Sequence, residues 1–250
     1  MSGHSKWATT KHRKGALDKA RGKLFAKLIR QVEVAARDGG GDINANANLR
    51  TMFQKARDAS VPMDTIERAI KRGTGELEGV RYEAVSYEGY APCGVAVLVE
   101  CLSDNRNRTG SEIRSIFNRN GGNMAEPGAV AWQFERKGQL TLPADIEEDK
   151  VIEAVLEAGA EDFTNEADHW LVTCAPSDLA SVRSSIEGSG LVVAAADLVM
   201  VSNSSVEVGD ESGARKVLRL LDALEDHDDV QNVWSNFDIP DAVLAAVAAE

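Results

Sequence analysis

The spacing of apolar residues divides this 250-residue chain into a helical first part and a longer part in which strands alternate with helices. From about residue 16 to the glycines at 39–41, apolar side chains recur every three or four positions, which is the period of an amphipathic helix. Two more helices are predicted, one from about Asn46 and one after Pro62. Glycines at 73 and 75 then end this helical region.

Beyond residue 80, short apolar runs that are typical of strands replace the helical period. Segments 82–88 and 94–102 predict a hairpin whose second strand contains VAVLVECL and is apolar enough to be buried. The elements predicted after it are a helix at 109–120, strands at 129–134 and ending at 142, a helix at 150–158, strands at 162–164 and 170–174, a helix at 177–187, a strand at 192–201, a helix at 212–224 and a strand at 230–237.

These cycles predict an α+β multidomain fold, with an N-terminal helical domain followed by two ferredoxin-like α/β domains, one inserted in the other. The segment 80–130 lacks the second helix and last strand of such a unit, and the last cycle supplies both if the chain leaves near 132 and returns near 205. The predicted domains are a basic helical domain at 1–78, a discontinuous α+β domain at 79–131 plus 205–240, an α+β domain at 132–204 and a C-terminal tail at 241–250.

Charge is distributed very unevenly along the chain. The first thirty residues carry nine Lys or Arg side chains and a single acid, Asp18, whereas the whole chain has a net charge of −12. Like charges at this density repel each other unless a polyanion neutralises them, and nucleic acid is the commonest cellular polyanion. We therefore predict that this end binds nucleic acid. The predicted contacts are Lys6, Trp7, Lys11, His12, Arg13, Lys14, Lys19, Lys23, Lys27 and Arg30.

The second half of this stretch has one basic and one apolar helical face. At about 100° per residue, the basic face holds Lys19, Lys23, Lys27, Arg30 and Arg37, and the opposite face holds Leu17, Leu24, Leu28, Val32 and Ala35. The apolar face would pack on the protein while the basic face contacts phosphate. The alternative interpretation is a solvated helix face without a ligand.

Segment 2–14 has no helical pattern and mixes small polar residues with cations, two histidines and Trp7. An aromatic ring among cations suits single-stranded nucleic acid, because bases stack on the indole while Lys and Arg follow the phosphates. Trp7 would act in this way, or its ring would instead pack against the helices.

The chain resembles the YebC/PmpR family, whose members include the mitochondrial translational activator of cytochrome oxidase subunit I, in five motifs: SGHSKWATTKHRK, TIERAIKRGTGE, YEGYAPCGVAVLVECLSDNRNRT, GGNM and NFDIP. The resemblance runs from Ser2 to Pro240. It departs in the second helix region and at residues 90–94, where the family usually reads YGPGG and this chain reads YAPCG. If those positions need a positive φ, Ala and Cys would resist it.

The resemblance implies the same domain plan and a non-catalytic regulator of gene expression. In one version the protein is a transcriptional regulator that binds DNA, and in the other a ribosome-associated translation factor that binds ribosomal RNA and relieves stalling at proline-rich stretches. The residues favour neither version, because no helix-turn-helix or heptad pattern argues for base reading and a cationic arm suits folded RNA equally well. Two alternatives from other classes are a protein-binding adaptor with an acidic partner and a magnesium-dependent nuclease.

A secondary anion site is predicted at Arg106 and Arg108, where the N-terminal amides of the following helix favour phosphate. In the alternative, Asp104 and Asn107 cap this helix while the two arginines pair with nearby acids. The acidic stretch at 222–229 has no EF-hand spacing, so we expect a solvated surface that repels polyanions.

The chain shows no pattern for a cofactor, a metal or a catalytic site. The three cysteines form no CxxC pair, the four histidines lack zinc-binding spacings, and no nucleophile–base pair stands out. No apolar run approaches the roughly 20 residues that cross a bilayer. We expect a cytoplasmic protein without enzymatic activity, cofactor, metal, membrane contact or small-molecule substrate. Its expected partners are nucleic acid, either DNA or ribosomal RNA, and with the latter the ribosome.

Overall fold

The structure of the protein is a computed structural model that describes residues 17–166 and 168–248. Its helices are α1 (Leu17–Gly39), α2 (Ala47–Asp58), α3 (Met63–Gly73), α4 (Arg106–Arg119), α5 (Glu148–Ala158), α6 (Leu179–Gly188), α7 (Glu211–Glu225) and α8 (Asp241–Ala248). Its strands are β1 (Glu83–Tyr90), β2 (Ala96–Ser103), β3 (Asn123–Ala125), β4 (Phe134–Pro143), β5 (Asp162–Asn165), β6 (His169–Cys174), β7 (Ala195–Ser202), β8 (Val206–Glu207), β9 (Val230–Ser235) and β10 (Phe237–Asp238). Within these ranges, no helix is both long enough and apolar enough to span a membrane.

Helices α1, α2 and α3 pack around an aliphatic core. Val32, Leu49 and Ile66, one from each helix, are completely shielded from solvent, and each such burial contributes about 1.5–3 kcal/mol. Helix α2 begins where the Asn46 side chain accepts a hydrogen bond from the Leu49 N–H at 3.0 Å, which satisfies a free amide of the first turn. Helix α3 approaches α1 closely because Gly73 has no side chain, and a Cβ there would overlap an α1 carbonyl oxygen.

The apolar face of α1 is rotated relative to the predicted one. Leu28 and Val32 are buried as expected, but Leu24 is 46% exposed, so its predicted inward position is wrong. Phe25 and Ile29 pack against the three-helix core instead. The larger surface of the phenylalanine ring makes its burial more favourable than that of the leucine beside it.

Two four-stranded sheets follow, and they have the same spatial strand order. The second sheet is β5-β6-β4-β7, the antiparallel order of a ferredoxin-like βαββαβ unit. The first sheet is β3-β1-β2-β9. Compared position by position with the second sheet, β3 corresponds to β5, β1 to β6, β2 to β4 and β9 to β7. It is therefore a permuted version whose third strand comes first in the chain. Helices α4 and α7 form its core with the sheet, where Phe117, Leu220 and Leu221 are fully buried.

The predicted α+β fold class is confirmed, with helices preceding two mixed units, one of them inserted in the chain of the other. The inserted unit is Gln133–Asn203, and the described residues before and after it form the second compact unit. Helices α1 to α3 belong to that second unit. The separate helical domain at 1–78 stays a prediction. The residue numbers at which the other predicted domains begin and end also stay predictions.

Three segments differ from the predicted elements. The strand predicted at 129–134 is a loop with a 3-10 turn at Ala131–Gln133, and β4 begins only at Phe134. Helix α4 begins at Arg106, three residues before the predicted start, because Asn105 provides the N-cap. The predicted tail contains α8, whose apolar side chains at 243, 244 and 247 pack against the core of the first sheet.

The turn between β1 and β2 resolves the departure from the family pattern at residues 90–94. Cys93 has a φ of 65° and Gly94 a φ of 77°, both in the left-handed region that favours glycine. Ala91 has a φ of −77°, which any residue adopts without strain. Of the two substitutions, only the cysteine carries a backbone cost.

Candidate nucleic-acid interface

Most of the predicted nucleic-acid contacts lie outside the residues that the structure describes. Those that precede the first described residue are Lys6, Trp7, Lys11, His12, Arg13 and Lys14. Lys19 lies in the α1 backbone, but its side chain is also outside the described part. The structure therefore places three of the ten predicted residues, which are Lys23, Lys27 and Arg30.

These three cations project from one side of α1 onto the end of α7 and the residues after it. Their side-chain nitrogens donate to backbone carbonyl oxygens, Lys23 to Asp226 at 3.0 Å, Lys27 to Glu225 at 2.8 Å and Arg30 to Asp228 at 2.6 Å. The last carbonyl groups of a helix have no partner within it and carry partial negative charge. Lys23 and Lys27 thus cap the C-terminus of α7, where each contributes about 0.3–1 kcal/mol, and Arg30 binds a carbonyl just beyond the helix.

The ion pairs in this region differ greatly in exposure. Lys23 Nζ lies 3.1 Å from the Asp226 carboxylate, and the two side chains are 36% and 80% exposed, so water screens this pair strongly. Arg30 Nη1 lies 3.3 Å from Asp229, whose side chain is only 6% exposed. The guanidinium of Arg30 also stacks over the Tyr82 ring at 5.1 Å. Lys23 can exchange its partner far more easily than Arg30 can.

Asp229 joins three elements through its carboxylate. Its Oδ2 atom accepts hydrogen bonds from Thr109 Oγ1 and Arg108 Nη2, both at 2.7 Å and both from the first turn of α4, while Arg30 of α1 bonds to Oδ1. Burial opposes ionisation of Asp229, but the hydrogen bonds from Thr109 and Arg108 outweigh it and hold its pKa below the usual range. The same hydrogen bond to Asp229, with one to Asp104, raises the pKa of Arg108.

The two arginines of the predicted secondary anion site have different surroundings in the structure. Arg108 bonds to the carboxylates of Asp104 and Asp229, both at 2.7 Å. Asn105 caps α4 by accepting from the Arg108 N–H at 3.1 Å, so the alternative is wrong about the capping residues, whereas its pairing of the arginines with nearby acids is confirmed for Arg108. Arg106 is exposed and forms no ion pair within the described residues. A phosphate site at these two arginines stays a prediction.

Between α1 and α4 lies a cavity of about 970 Å³, which we call the α1–α4 cleft. Its lining includes the cations Lys23, Arg30, Arg108 and Arg119, the hydroxyl groups of Tyr82, Ser111 and Ser115, and acids that include Asp104, Glu112 and residues 226, 228 and 229. Sequence reasoning missed this cleft. The one available signal was the net positive charge of 106–119, with four arginines and one acid.

Glu112, His227 and Asp229 are brought together in the cleft with ligand atoms within 4.8 Å of one another, the spacing of a metal site. Their hydrogen bonds oppose that use. His227 Nδ1 accepts from the Asp229 N–H at 3.1 Å, which places the proton of the neutral ring on Nε2, and Nε2 lies 2.8 Å from Glu112. No ring lone pair is left for an ion, and the Asp229 carboxylate is already occupied. The group acts as a hydrogen-bonded junction between α4 and the end of α7.

The acidic stretch at 222–229 is therefore not only the repelling surface that the sequence predicts. Its backbone and two of its carboxylates hold the basic face of α1. The only sign of this pairing in the sequence is that a basic segment and an acidic segment lie about 200 residues apart. No local pattern in either segment indicates that the two are in contact. Sequence reasoning therefore assigned the two segments separate roles.

The fold and this site define a class of α+β protein in which a basic N-terminal helix binds the end of a helix that belongs to the first of two ferredoxin-like units. Two family models match the chain, one for the TACO1/YebC protein N-terminal domain over residues 5–76 and one for the TACO1/YebC second and third domain over 82–237. The chain belongs to the TACO1/YebC family.

Relatives and a solved structure agree with this assignment. Proteins from Halothermothrix orenii and Thermobifida fusca are 53% and 54% identical, cover 100% and 99% of this chain over their full lengths, and are each named a probable transcriptional regulatory protein. A relative from Mycobacterium tuberculosis with the same name is 54% identical over the full length of both chains. The crystal structure of a conserved hypothetical protein from Aquifex aeolicus matches with a TM-score of 0.83 and 46% identity, over 90% of this chain and 93% of that one.

Proposed function

We propose that this protein is a non-enzymatic regulator of gene expression that binds nucleic acid through its basic N-terminal region. Its relatives are named probable transcriptional regulatory proteins, so DNA is the target we expect first. The observation that carries the proposal is the separation of charge. Residues 1–72 have a net charge of +9, and the rest of the chain has −21. Opposed charge of this size directs a polyanion to the basic end.

The contacts of α1 with the end of α7 divide the predicted phosphate-binding residues into a structural group and a group that is available to a ligand. Lys27 caps the end of α7, and Arg30 binds the Asp228 carbonyl and the buried Asp229 carboxylate, so we assign both a mainly structural role. Lys23 has an exposed partner and stays available for exchange. Most of the phosphate contacts are then expected from Lys6, Lys11, Arg13, Lys14 and Lys19, with stacking from Trp7.

The role is proposed as non-catalytic because the one His–carboxylate group with metal-like spacing in the described residues is closed by its own hydrogen bonds. A nuclease would need an open carboxylate site for magnesium. End-labelled RNA and DNA incubated with the full chain and magnesium should keep their length. Cleavage that depends on magnesium and is lost in Glu112→Gln would overturn this part of the proposal.

Crosslinking in cells, followed by sequencing of the attached nucleic acid, tests the proposal and its target. We expect enrichment of promoter DNA with the wild-type chain and its loss when Lys6, Lys11, Arg13 and Lys14 are replaced by Gln. Enrichment of ribosomal RNA instead would assign the protein to translation, the second version that the family resemblance implies. Recovery of neither polymer would overturn the proposal and favour a protein-binding adaptor.

A further inference from the structure

The α4 side of the α1–α4 cleft carries side chains that bind oxyanions, in a cavity that is also lined by five carboxylates, those of Asp104, Glu112, Asp226, Asp228 and Asp229. Arg108, Ser111, Ser115 and Arg119 are spaced three or four residues apart, so they lie on one face of α4, and all four line the cleft. Lys23 of α1 faces them across the cavity. Its volume of about 970 Å³ is at the upper end of ligand pockets and leaves room for a short stretch of a polymer.

The cations of the cleft are not equally available to a ligand. Arg30 and Arg108 bond to the buried Asp229, whose removal from them would leave a buried charge unpaired. Arg119 is exposed and forms no ion pair within the described residues. Lys23 is held by Asp226, a carboxylate that is 80% exposed. The Asp226 carboxylate thus occupies the position beside Lys23 that a phosphate oxygen would take.

We propose that the α1–α4 cleft binds the sugar-phosphate backbone of nucleic acid. One phosphate contacts Arg119 with the hydroxyl groups of Ser111 and Ser115, and another contacts Lys23 in place of the Asp226 carboxylate. Asp226 is therefore an intramolecular competitor of the ligand. This inference rests on the proposed function, which it extends from the basic N-terminal segment to a site built partly by α4.

The first test measures binding of fluorescently labelled single-stranded RNA and DNA of about 20 nucleotides to the full chain by anisotropy. Arg119→Ala should weaken binding about 3–10-fold and reduce the slope of log affinity against log salt by about 0.7, the value for one phosphate contact on a single strand. Arg119→Lys should keep the slope, because the charge remains. The matched control is Arg114→Ala, which removes an exposed arginine of the same helix outside the cleft and should leave binding unchanged.

In the second test, the variant is expected to bind the labelled strands more strongly than wild type. Asp226→Asn should strengthen binding about 2–5-fold, because a screened surface ion pair that competes with phosphate is removed. Asp145→Asn, an exposed change of equal charge in the inserted unit, controls for the general effect of net charge. Equal strengthening by both variants would overturn the competitor role of Asp226.

The outcomes separate this inference from the proposed function. If the wild-type chain binds both polymers and Arg119→Ala binds like Arg114→Ala, the cleft is not a site, while the proposed function stands. If the wild-type chain binds neither polymer, both are overturned. Circular dichroism of each variant establishes that it is folded. A larger loss with RNA than with DNA would identify the 2′-hydroxyl as part of what the cleft contacts.

Discussion

Glu88 is a single residue that holds a whole loop in place. It is 6% exposed, and its carboxylate accepts hydrogen bonds from the backbone N–H groups of Gly128 at 2.7 Å, Val130 at 2.6 Å and Ala131 at 2.8 Å. Burial opposes ionisation of Glu88, but the three hydrogen bonds outweigh it and hold its pKa below the usual value. The loop consequently needs no neighbouring strand to satisfy its amides.

Replacing Glu88 by Gln should lower the free energy of unfolding at pH 7 by about 2–3 kcal/mol, since an amide offers one oxygen to three donors. Because the folded pKa is depressed, the contribution of Glu88 is complete above the unfolded pKa of about 4.3 and is lost as the pH falls through the folded pKa. Urea unfolding at several pH values should therefore show the difference between wild type and variant shrinking in acid. Glu126→Gln, an exposed change in the same loop, should be neutral at every pH. A constant difference across that range would contradict the assignment.

Cys93 stores backbone strain that a glycine would release. At a φ of 65° a residue with a Cβ costs about 1–2 kcal/mol, and glycine gives back part of this through its greater freedom in the unfolded chain. Cys93→Gly should therefore raise the free energy of unfolding by about 0.5–1 kcal/mol. Gly94→Ala in the same turn, where φ is 77° and no atom lies within 4 Å of the added Cβ, should lower it by a similar amount. Thermal unfolding of both variants, with Cys93→Ala to isolate the thiol, measures the two effects. Equal midpoints for all three would show that the turn is unstrained.

At the scale of elements, the sequence predicted correctly those helices and strands that are determined by residues close together in the chain. The three N-terminal helices, the hairpin of β1 and β2 and the helix–strand cycles follow from apolar periods and caps within a few residues. Segment 129–134 is a loop and not the strand that its local pattern predicts, because its amides are satisfied by Glu88, some forty residues earlier in the chain. The capping of α7 by α1 joins segments about 200 residues apart. No period in either segment reports such a partner.

The junction of α1, α4 and the end of α7 depends on Asp229, so its charge should matter more than that of its neighbour. Asp229→Asn places an amide donor against the donors of Arg30, Arg108 and Thr109, and should lower the free energy of unfolding by about 2–3 kcal/mol at pH 7. Asp228→Asn makes the same chemical change at an exposed side chain and should stay within about 0.5 kcal/mol of wild type. Chemical denaturation of the two variants measures this. Similar losses for both would mean that net charge, not the hydrogen bonds, stabilises the junction.

At the scale of the whole molecule, the inserted unit carries about half of the net negative charge that lies outside the basic N-terminal region. Residues 133–203 contain 14 acidic and 4 basic side chains, a net charge of −10, whereas residues 73–250 together carry −21. Under the proposed function, the inserted unit repels a polyanion and the N-terminal region of the same chain attracts it. The field of the whole protein orients the approach, whereas the individual contacts set the affinity.

This separation of charge predicts that DNA binding depends on where the cations lie in the chain and not on how many there are. Replacing Lys6, Lys11, Arg13 and Lys14 by Gln should flatten the dependence of log affinity for duplex DNA on log salt by up to about 3.6, at about 0.9 for each lost phosphate contact. Replacing Arg136, Lys137, Lys150 and Arg183, the four cations of the inserted unit, changes the net charge equally and should leave the slope near that of wild type. Filter binding from low to moderate salt measures both slopes. If the two fourfold variants lose the same slope, binding follows net charge alone, and the N-terminal segment is not the phosphate-binding region.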